Sequence, residues 1–357
     1  MEKKLKILGM GAAQDACSFV SKLNSFIYLA ATPGGYIPLL KVLMTNVCCN
    51  DCAYCINRAE NKVLRASFKP LELSRLFMDL YERGLVKGLF LSSGNGIDPS
   101  LAMEDILKTA EILRKKYKFN GYIHLKVLPG SRLEYVRPAC ELASRVSINF
   151  EAPSQRHLSR ISSKKDFYKI MQSTIEIKKY REKGLVPGGQ TTQFVVGASG
   201  ETDRDIFELM KRLYREIKLT RIYFEALRPL KGTPLEGHPP TPIWRQNRLY
   251  QLDFLFRYGF LDEELALAFD ERGYLPKERD PKLTIALKQP HIFPVDIKSA
   301  DYKTLLRVPG IGPKTARKII ENRKNGIRID DLKKMGVNLR RALPFIKQGY
   351  QRRLFSI

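Results

Sequence analysis

The segment LLKVLMTNVCCNDCAYC, residues 39–55, decides how this sequence is interpreted, because an apolar β-type run leads directly into a loop with four cysteines. The whole chain has 357 residues and six cysteines, so most of its thiols lie in this loop. A disulfide framework would spread its cysteines along a small secreted chain. The clustering therefore predicts a metal centre that directly follows a strand.

Cys48, Cys52 and Cys55 are separated by three and then two residues. Thiolates at this spacing can bind three irons of a [4Fe-4S] cluster and leave the fourth iron open. The open iron can accept the amino and carboxylate groups of S-adenosylmethionine, whose cleavage by one electron frees a 5′-deoxyadenosyl radical. Tyr54 offers an aromatic face for the adenine ring. We predict the three cysteines as metal ligands and Tyr54 as a cofactor contact.

Cys49 leaves alternatives open. With Cys52 and Cys55 it forms a second, evenly spaced triple, although we prefer Cys48 as the ligand. A structural zinc ion normally needs four Cys or His ligands. Cys49, Cys17, Cys140 or a distant histidine would have to complete such a site. Cys140 itself lies in a helical pattern, which favours a small core residue.

β-type runs alternate with amphipathic helical stretches through the first two thirds of the chain. We predict strands at Ile37–Val47, Gly88–Leu91, Tyr122–Val127, Val146–Phe150, Thr192–Val196 and Arg221–Ala226. Apolar residues spaced three and four apart predict helices at Leu71–Arg83, Met103–Lys116, Leu133–Ala143, Phe167–Lys183 and Arg204–Ile217. Repeated βα units build a parallel sheet whose functional groups gather at the strand carboxyl ends. The predicted class is α/β, a partial (β/α)6 TIM-type barrel with a small all-α C-terminal domain.

Five prolines between Pro229 and Pro242 interrupt this alternation and indicate a connector. We predict an N-terminal extension at residues 1–36, the barrel at 37–235, a helical connector at 236–290 and the C-terminal domain at 291–357. Two domains suit this length, because single cores stop growing at roughly 250–300 residues. We find no repeat of fixed period beyond the βα alternation.

The chain is strongly basic, with 62 Lys and Arg against 37 Asp and Glu and a net charge of +25. Residues 291–357 alone hold 16 basic and 5 acidic residues. Such a field attracts polyanions, of which nucleic acid is the commonest in a cytoplasm. No apolar run approaches the ~20 residues of a membrane-spanning helix, and the basic start lacks a signal-peptide pattern. We expect a cytoplasmic protein that binds nucleic acid.

The tail contains the sequence RVPGIGPKTA, residues 307–316. Gly310 and Gly312 allow a tight turn that brings backbone N–H groups to the start of a helix, where they can bind phosphate. Lys314, Arg317 and Lys318 add positive charge beside this turn. The predicted core of the module is Leu305, Leu306, Val308, Ile311, Ala316 and Ile319.

This tail segment resembles a helix-hairpin-helix module. Modules of that type commonly bind the backbone of duplex DNA. The resemblance therefore implies DNA binding through Gly310, Gly312, Lys314, Arg317 and Lys318. Backbone contacts of this kind give affinity without reading the base sequence. The alternative is a protein–protein version of the same fold.

The cysteine loop, with its aromatic residue before the last cysteine, resembles that of the radical SAM superfamily. In that superfamily a segment after the second strand binds the methionine amino group, and here LSSGNG, residues 91–96, occupies that position. The resemblance implies cofactor contacts by Ser92, Ser93 and Gly94, although the acidic residue of the usual pattern is missing.

Two later segments resemble further cofactor-binding marks of the superfamily. Asn149 and Glu151 lie at the end of the fourth strand, at the place of the superfamily's ribose contacts. Gly197, Gly200 and Glu201 follow the fifth strand and keep the pattern of the segment that packs along the adenine. An ordinary loop before a helix start is the alternative for the last three.

From end to end, the order of features resembles a bacterial and archaeal family of radical SAM proteins associated with DNA modification or repair. The resemblance implies an enzyme that uses a [4Fe-4S] cluster, S-adenosylmethionine and an external electron donor, and that acts on DNA. A radical SAM enzyme that modifies RNA is one alternative. A non-catalytic nucleic-acid-binding protein with a structural metal is the other.

Polar residues on the third and fifth strands are candidate substrate contacts, because side chains inside a barrel can point toward the radical. Polar residues that only satisfy each other inside the barrel are the alternative. The candidates are His124, Lys126, Gln190 and Gln193. Tyr223 and Glu225 on the sixth strand are further candidates.

Overall fold

The structure, a computed structural model, describes residues 2–13, 26–32, 35–323 and 326–347. The chain divides into two compact units, Met1–Gln246 and Asn247–Ile357. The sequence-based domain boundaries at residues 36, 235 and 290 stay predictions. No helix in the described ranges combines the length and apolarity needed to cross a bilayer.

One seven-stranded sheet organises the first unit, and its strands follow one another in chain order. The first two strands are antiparallel, whereas the pairs from the second to the seventh are parallel. The sheet curls into a half barrel, which confirms the predicted partial (β/α)6 fold. The strands are β1 Ile27–Thr32, β2 Gly35–Leu43, β3 Gly88–Ser92, β4 Tyr122–Lys126, β5 Arg145–Ser147, β6 Gln190–Val196 and β7 Arg221–Ala226.

Helices connect successive parallel strands, and side chains cap several of their first turns. Asp98, Asp166 and Thr202 each accept a hydrogen bond from the first turn of the helix that follows them, as expected of N-cap residues. The helices of this unit are α1 Glu2–Ala13, α2 Pro70–Glu82, α3 Pro99–Glu111, α4 Val136–Leu142, α5 Gln155–Ile161, α6 Phe167–Glu182 and α7 Asp203–Arg215, and α8 Ile243–Arg257 begins in it.

The two faces of the sheet differ in character. On the face toward the helices, Phe194 of β6 and Phe224 of β7 are fully buried and stack with ring centroids 6.2 Å apart. Because successive side chains of a strand point to opposite faces, Gln193 and Val195 lie on the inner face, where both line a cavity. The inner face therefore carries the groups that can meet a ligand.

The described residues of the second unit form helices only, together with one isolated β-bridge between Val295 and Ile346. All six predicted core residues of the hairpin module are buried, which confirms that prediction. The remaining helices are α9 Asp262–Ala266, α10 Pro281–Lys288, α11 Tyr302–Arg307, α12 Pro313–Asn322, α13 Ile329–Lys334 and α14 Leu339–Ala342.

The second unit also contains a repeat, contrary to the sequence analysis. Residues 306–316, LRVPGIGPKTA, and residues 332–342, LKKMGVNLRRA, both form a helix, a tight turn and a second helix. Gly310 and Gly336 occupy equivalent positions and have φ angles of 87° and 91°. A Cβ on Gly310 would lie 3.2 Å from the Cβ of Arg341, and one on Gly336 would lie 3.8 Å from the Oγ1 of Thr315. Arg341 and Thr315 are themselves equivalent, so each turn packs on the other hairpin in the same way.

Candidate metal and cofactor site

A cavity of about 690 Å³ opens at the carboxyl ends of the parallel strands in the first unit. This is the end at which barrels of this type build their functional sites. The cysteine loop follows β2 and forms one wall. The volume lies within the range of pockets that bury a small-molecule ligand.

Three thiols lie on this wall, those of Cys48, Cys52 and Cys55. The backbone N–H of Asn95 donates to the sulfur of Cys48, and that of Asn57 donates to the sulfur of Cys55, both at 3.4 Å. Donors of this kind stabilise negative charge on sulfur, as in iron–sulfur sites. The three side chains predicted as ligands therefore share one cavity.

Cys49 is not among the described residues that line the cavity. Its carbonyl accepts a hydrogen bond of 2.7 Å from Nζ of Lys164. Cys140 is buried in α4 and 1% exposed, and Cys17 lies outside the described residues. Within the described ranges, no three His, Cys, Asp or Glu side chains converge on a single metal-ion position. Of the two adjacent cysteines, only Cys48 is among the described lining residues, and its role as the ligand stays a prediction.

Arg65 closes the cysteine loop. Its guanidinium donates to the carbonyl of Asn46 at 2.5 Å, before the first cysteine, and to that of Asn57 at 2.9 Å, after the last. It also donates to the carbonyls of Arg58 and Asn61, at 2.7 and 2.9 Å. Four backbone acceptors from both ends of the loop are thus held by one side chain, which the sequence analysis missed.

The segment between α5 and α6 supports the loop from outside. Ser162 and Ser163 donate their hydroxyls to the carboxylate of Asp51, each at 2.6 Å. Partial burial would raise the pKa of Asp51, but these hydrogen bonds outweigh it and hold that pKa below its usual range. The backbone N–H of Ala53 donates to the carbonyl of Ile161 at 2.7 Å. The loop is therefore fixed by both side-chain and backbone contacts.

Lys165, which the sequence analysis also missed, lies on the cavity wall beside the thiols. Its Nζ is 3.0 Å from Glu151 and 3.4 Å from the hydroxyl of Tyr54. Burial alone would lower the pKa of Lys165, but the acidic groups of Cys52 and Glu151 beside it outweigh burial and raise that pKa. The site therefore holds a buried cation, paired with Glu151, on the wall that an anionic ligand group would meet.

Two of the three thiols, those of Cys52 and Cys55, resist ionisation in the metal-free chain. Burial raises the pKa of Cys52, and it raises the pKa of Cys55 to about 12. At neutral pH both groups are therefore protonated until a metal displaces the proton. A metal or cluster that bound to these thiols would release the protons, so its loading would depend on pH.

The segment after β3 packs directly against the cysteine loop and forms the adjoining part of the cavity wall. Ser92, Ser93 and Gly94 line the cavity. The Ser93 hydroxyl oxygen is buried and has no hydrogen-bond partner among the described residues. A Cβ on Gly94 would lie 2.3 Å from the carbonyl oxygen of Val47, so only glycine fits against the cysteine loop. An unpartnered hydroxyl here fits a polar ligand, such as the methionine moiety of S-adenosylmethionine.

The other predicted cofactor contacts divide between the wall and the interior. Tyr54 and Glu151 line the cavity, and Glu151 has a φ of 65°, unusual for a residue other than glycine. Asn149 is buried, 4% exposed, and is not among the described lining residues. Its role as a ribose contact stays a prediction, as do the cofactor contacts of Tyr54 and Glu151.

The segment from Gly197 to Glu201 lies next to the cavity rather than on its described wall. The buried carboxylate of Glu201 accepts from the backbone N–H groups of Gly197 and Ser199, and from the Ser199 hydroxyl. Gly197 and Gly200 have φ angles of 86° and 70°. These contacts fix the turn before α7, and packing along an adenine stays a prediction.

The candidate substrate contacts do not all face the cavity. Lys126 and Gln193 line it. His124 instead stacks on Phe90 with ring centroids 4.0 Å apart and forms a hydrogen bond with the hydroxyl of Ser147. Gln190 was expected to point inward, but it donates to the carbonyl of Thr174 in α6. Residues 190 and 193 are three apart on a strand and so face opposite sides.

The predicted DNA contacts lie together at the first hairpin of the second unit. Gly310 forms the turn, and Gly312 is the N-cap of α12. Lys314, Arg317 and Lys318 are exposed on that helix. Arg340 and Arg341 follow the second hairpin at the positions equivalent to Lys314 and Thr315.

Sequence comparisons identify two matching regions. Residues 42–213 match the model of the Radical SAM superfamily, and residues 292–337 match that of a helix-hairpin-helix motif. The chain therefore carries a radical SAM domain, whose cofactors are a [4Fe-4S] cluster and S-adenosylmethionine. The thiols, the unpartnered hydroxyl and the buried cation of the cavity fit these cofactors.

Two curated proteins and one solved structure were among the matches. A biotin synthase from Heliobacterium modesticaldum is 24% identical over 214 residues, 58% of this chain and 62% of that protein. The RuvA subunit of the Holliday junction branch migration complex from Micrococcus luteus is 36% identical over 103 residues, 28% of this chain and 46% of that protein. The FeFe-hydrogenase maturase HydG from Carboxydothermus hydrogenoformans is 13% identical, with a TM-score of 0.48 over 60% of this chain and 49% of that one. The chain thus spans less than two thirds of each of these proteins.

Proposed function

We propose that this protein, a radical SAM enzyme by its domain at residues 42–213, binds a [4Fe-4S] cluster through Cys48, Cys52 and Cys55 and acts on DNA. The observation that carries the proposal is that these three thiols share the wall of one cavity, whereas Cys49 is not among the described residues on it. Once bound, the cluster supplies the electron that cleaves S-adenosylmethionine to a 5′-deoxyadenosyl radical.

Residues of the chain position the cysteine loop, bind the cofactor and shield the reacting groups from water. Arg65 and the segment 162–165 keep the cysteine loop in one conformation, so the three sulfurs are positioned before the cluster binds. Ser93 offers a hydroxyl to the cofactor, and Lys165 offers a cation to its carboxylate. The cavity shields the reacting groups from bulk water, which protects a reactive intermediate from side reactions.

The second unit supports DNA as the partner. Its two hairpins pack on each other reciprocally, and such a local twofold arrangement suits the two strands of a duplex backbone. Lys314, Arg317, Lys318 and Arg340 are exposed and supply the positive charge, whereas Arg341 is paired with Asp280. The Micrococcus luteus relative is named as a subunit of a Holliday junction complex, and a Holliday junction is a DNA structure.

We place the reaction in the cytoplasm, with an external protein or small molecule as electron donor. A base within a stacked duplex cannot reach the cavity, so the target nucleotide must be flipped out, damaged or single-stranded. RNA modification by the same chemistry is the second candidate function, because phosphate contacts do not by themselves distinguish DNA from RNA.

Binding assays over a range of salt concentrations test the choice of partner. The full chain should bind duplex DNA more tightly than duplex RNA, and log K should fall with log salt concentration. Replacing Lys314, Arg317 and Lys318 by Ala should reduce that slope by about one unit for each phosphate that is no longer neutralised. Tighter binding of RNA, or an unchanged slope in the triple variant, would contradict this part of the proposal.

A further inference from the structure

The cavity has a second half that the cysteine loop does not form. Tyr36 of the β1–β2 hairpin, Gln193 of β6, Glu225 of β7 and Arg228 just beyond β7 all line it. The residues proposed to hold the cluster and S-adenosylmethionine lie instead on the cysteine loop, after β3 and around Glu151. This division leaves a separate set of polar and aromatic groups for a substrate.

We infer that this half of the cavity binds a single unpaired nucleotide, with its base on Gln193 and Glu225 and its phosphate on Arg228. The inference rests on the proposed function, because it names the substrate group that the site would take. It adds an orientation, with the base inside and the phosphate at the mouth. It also adds a preference among bases.

The orientation follows from exposure. The Gln193 residue is 8% exposed, and the Glu225 side chain is 22% exposed, whereas the Arg228 side chain is 75% exposed. A guanidinium nitrogen of Arg228 lies 4.0 Å from a carboxylate oxygen of Glu225, and an ion pair this exposed contributes little, so a phosphate can compete for the guanidinium. All three line the same cavity, so Arg228 lies at its rim. A guanidinium binds phosphate through paired hydrogen bonds. A nucleotide that enters base first leaves its phosphate beside this group, as a flipped nucleotide still joined to its strand requires.

The base preference follows from the donors and acceptors inside. Gln193 pairs with Tyr223 and Val195 pairs with Glu225 across β6 and β7, so Gln193 and Glu225 are diagonal neighbours on the inner face. The amide of glutamine both donates and accepts, whereas a carboxylate only accepts. Bases with an exocyclic amino group offer Glu225 the two N–H donors of that group, whereas thymine offers a carboxylate only its single ring N3–H. The pair therefore favours cytosine, adenine or guanine.

Tyr36 adds a contact for a neighbouring base. Its side chain lines the cavity although the residue is 69% exposed. Exposed aromatic rings beside a cation are the usual platform for unpaired nucleotides, because each base has a face that can stack. Tyr36 and Arg228 thus offer one stacking surface and one phosphate contact to the strand outside the cavity.

Equilibrium binding of single nucleotides to the full chain, loaded with cluster and S-adenosylmethionine, tests this inference. The probes are the four deoxynucleoside 5′-monophosphates and the corresponding nucleosides. Each monophosphate should bind about tenfold more tightly than its nucleoside, since a charge-assisted contact is added. The cytosine nucleotide should bind more tightly than the thymine nucleotide.

Variants assign these effects to residues. Arg228→Ala should remove the advantage of the phosphate, whereas Lys231→Ala should retain it, because Lys231 is an exposed cation of the same loop and is not among the described lining residues. Glu225→Ala should reduce the preference for cytosine over thymine. Equal phosphate dependence in the Arg228 and Lys231 variants, or equal binding of cytosine and thymine nucleotides to the wild-type chain, would overturn the inference.

The inference and the proposed function fail separately. If hydrogen is abstracted from DNA while Arg228→Ala binds nucleotides normally, only the nucleotide site is wrong. If nucleotides bind as described while DNA loses no hydrogen, the site stands and the proposed reaction is wrong.

Discussion

Nζ of Lys165 lies 3.0 Å from a carboxylate oxygen of Glu151, and the two side chains are only 8% and 7% exposed. The pair lies on the cavity wall next to Cys52. Lys165 belongs to the loop before α6 and Glu151 to the segment after β5, so the pair joins these two parts of the chain. Removing one partner of a buried ion pair destabilises the folded protein, because the remaining partner is then a buried charge without a counter-charge.

Lys165→Met should therefore destabilise the metal-free chain by about 3 kcal/mol, measured as the free energy of unfolding in urea. The double variant Lys165→Met with Glu151→Gln should recover part of this loss, because no lone carboxylate remains buried. Arg137→Ala, which breaks the exposed pair with Glu141, serves as the control and should leave the free energy of unfolding nearly unchanged. Equal effects of the Lys165 and Arg137 variants would contradict the role of the buried pair.

Arg65→Ala should lower the iron content per chain after anaerobic reconstitution, because four loop carbonyls lose their shared donor. Arg65→Lys should rescue little, since an ammonium lacks the planar array of donors. Methylguanidinium added to the Ala variant should restore part of the iron content. The control Arg83→Ala, which removes an exposed ion pair with Asp79, should load normally, and full loading of Arg65→Ala would refute this role for Arg65.

Cys48 and Cys49 are adjacent in sequence, yet of the two only Cys48 is among the described residues on the cavity wall. Cys48→Ala should abolish the visible absorption and electron paramagnetic resonance signal of the reconstituted cluster, whereas Cys49→Ala should retain both. The reverse result would make Cys49, Cys52 and Cys55 the ligand set.

The buried side chain of Lys282 should make the stability of the second unit depend on pH. Its Nζ donates to the carbonyl of Ile311 in the first hairpin, and burial lowers the pKa of Lys282 to about 7. Between about pH 7 and the ordinary lysine value near 10.5, the unfolded chain binds a proton that the folded chain does not, so stability rises with pH. The slope approaches about 1.4 kcal/mol per pH unit for this one group.

Urea unfolding at pH 7 and pH 9 measures this slope. The difference between the two pH values should shrink in Lys282→Met and persist in Lys277→Met, which removes an exposed lysine. An identical pH dependence in all three proteins would show that Lys282 stays charged in the folded chain.

The sequence allowed the barrel strands, the cysteine loop and the first hairpin to be predicted because each depends on local spacing. Strand β1 and helices α1 and α5 were missed, since they are short or only weakly amphipathic. The second hairpin was missed because residues 332–342 keep only the leucine, the glycine and the final alanine of residues 306–316. Its φ angles and packing reveal the repeat where identity does not.

Arg65 and Lys165 could not be predicted, because contacts to backbone carbonyls or to distant carboxylates leave no pattern in one sequence. Gln190 shows the opposite error. Its polar side chain suggested a ligand contact, but the alternation of the strand directs it to the carbonyl of Thr174 in α6. Strand alternation, applied residue by residue, would have selected Gln193 alone.

The transfer of hydrogen from DNA to the cofactor tests the central claim most directly. The reconstituted enzyme is incubated with reductant, S-adenosylmethionine and uniformly deuterated DNA, and the 5′-deoxyadenosine is analysed by mass spectrometry. We predict that the wild-type enzyme forms 5′-deoxyadenosine that carries one deuterium from the DNA. The Cys52→Ala variant should form no 5′-deoxyadenosine. Unlabelled 5′-deoxyadenosine formed at the same rate with and without DNA would contradict the claim.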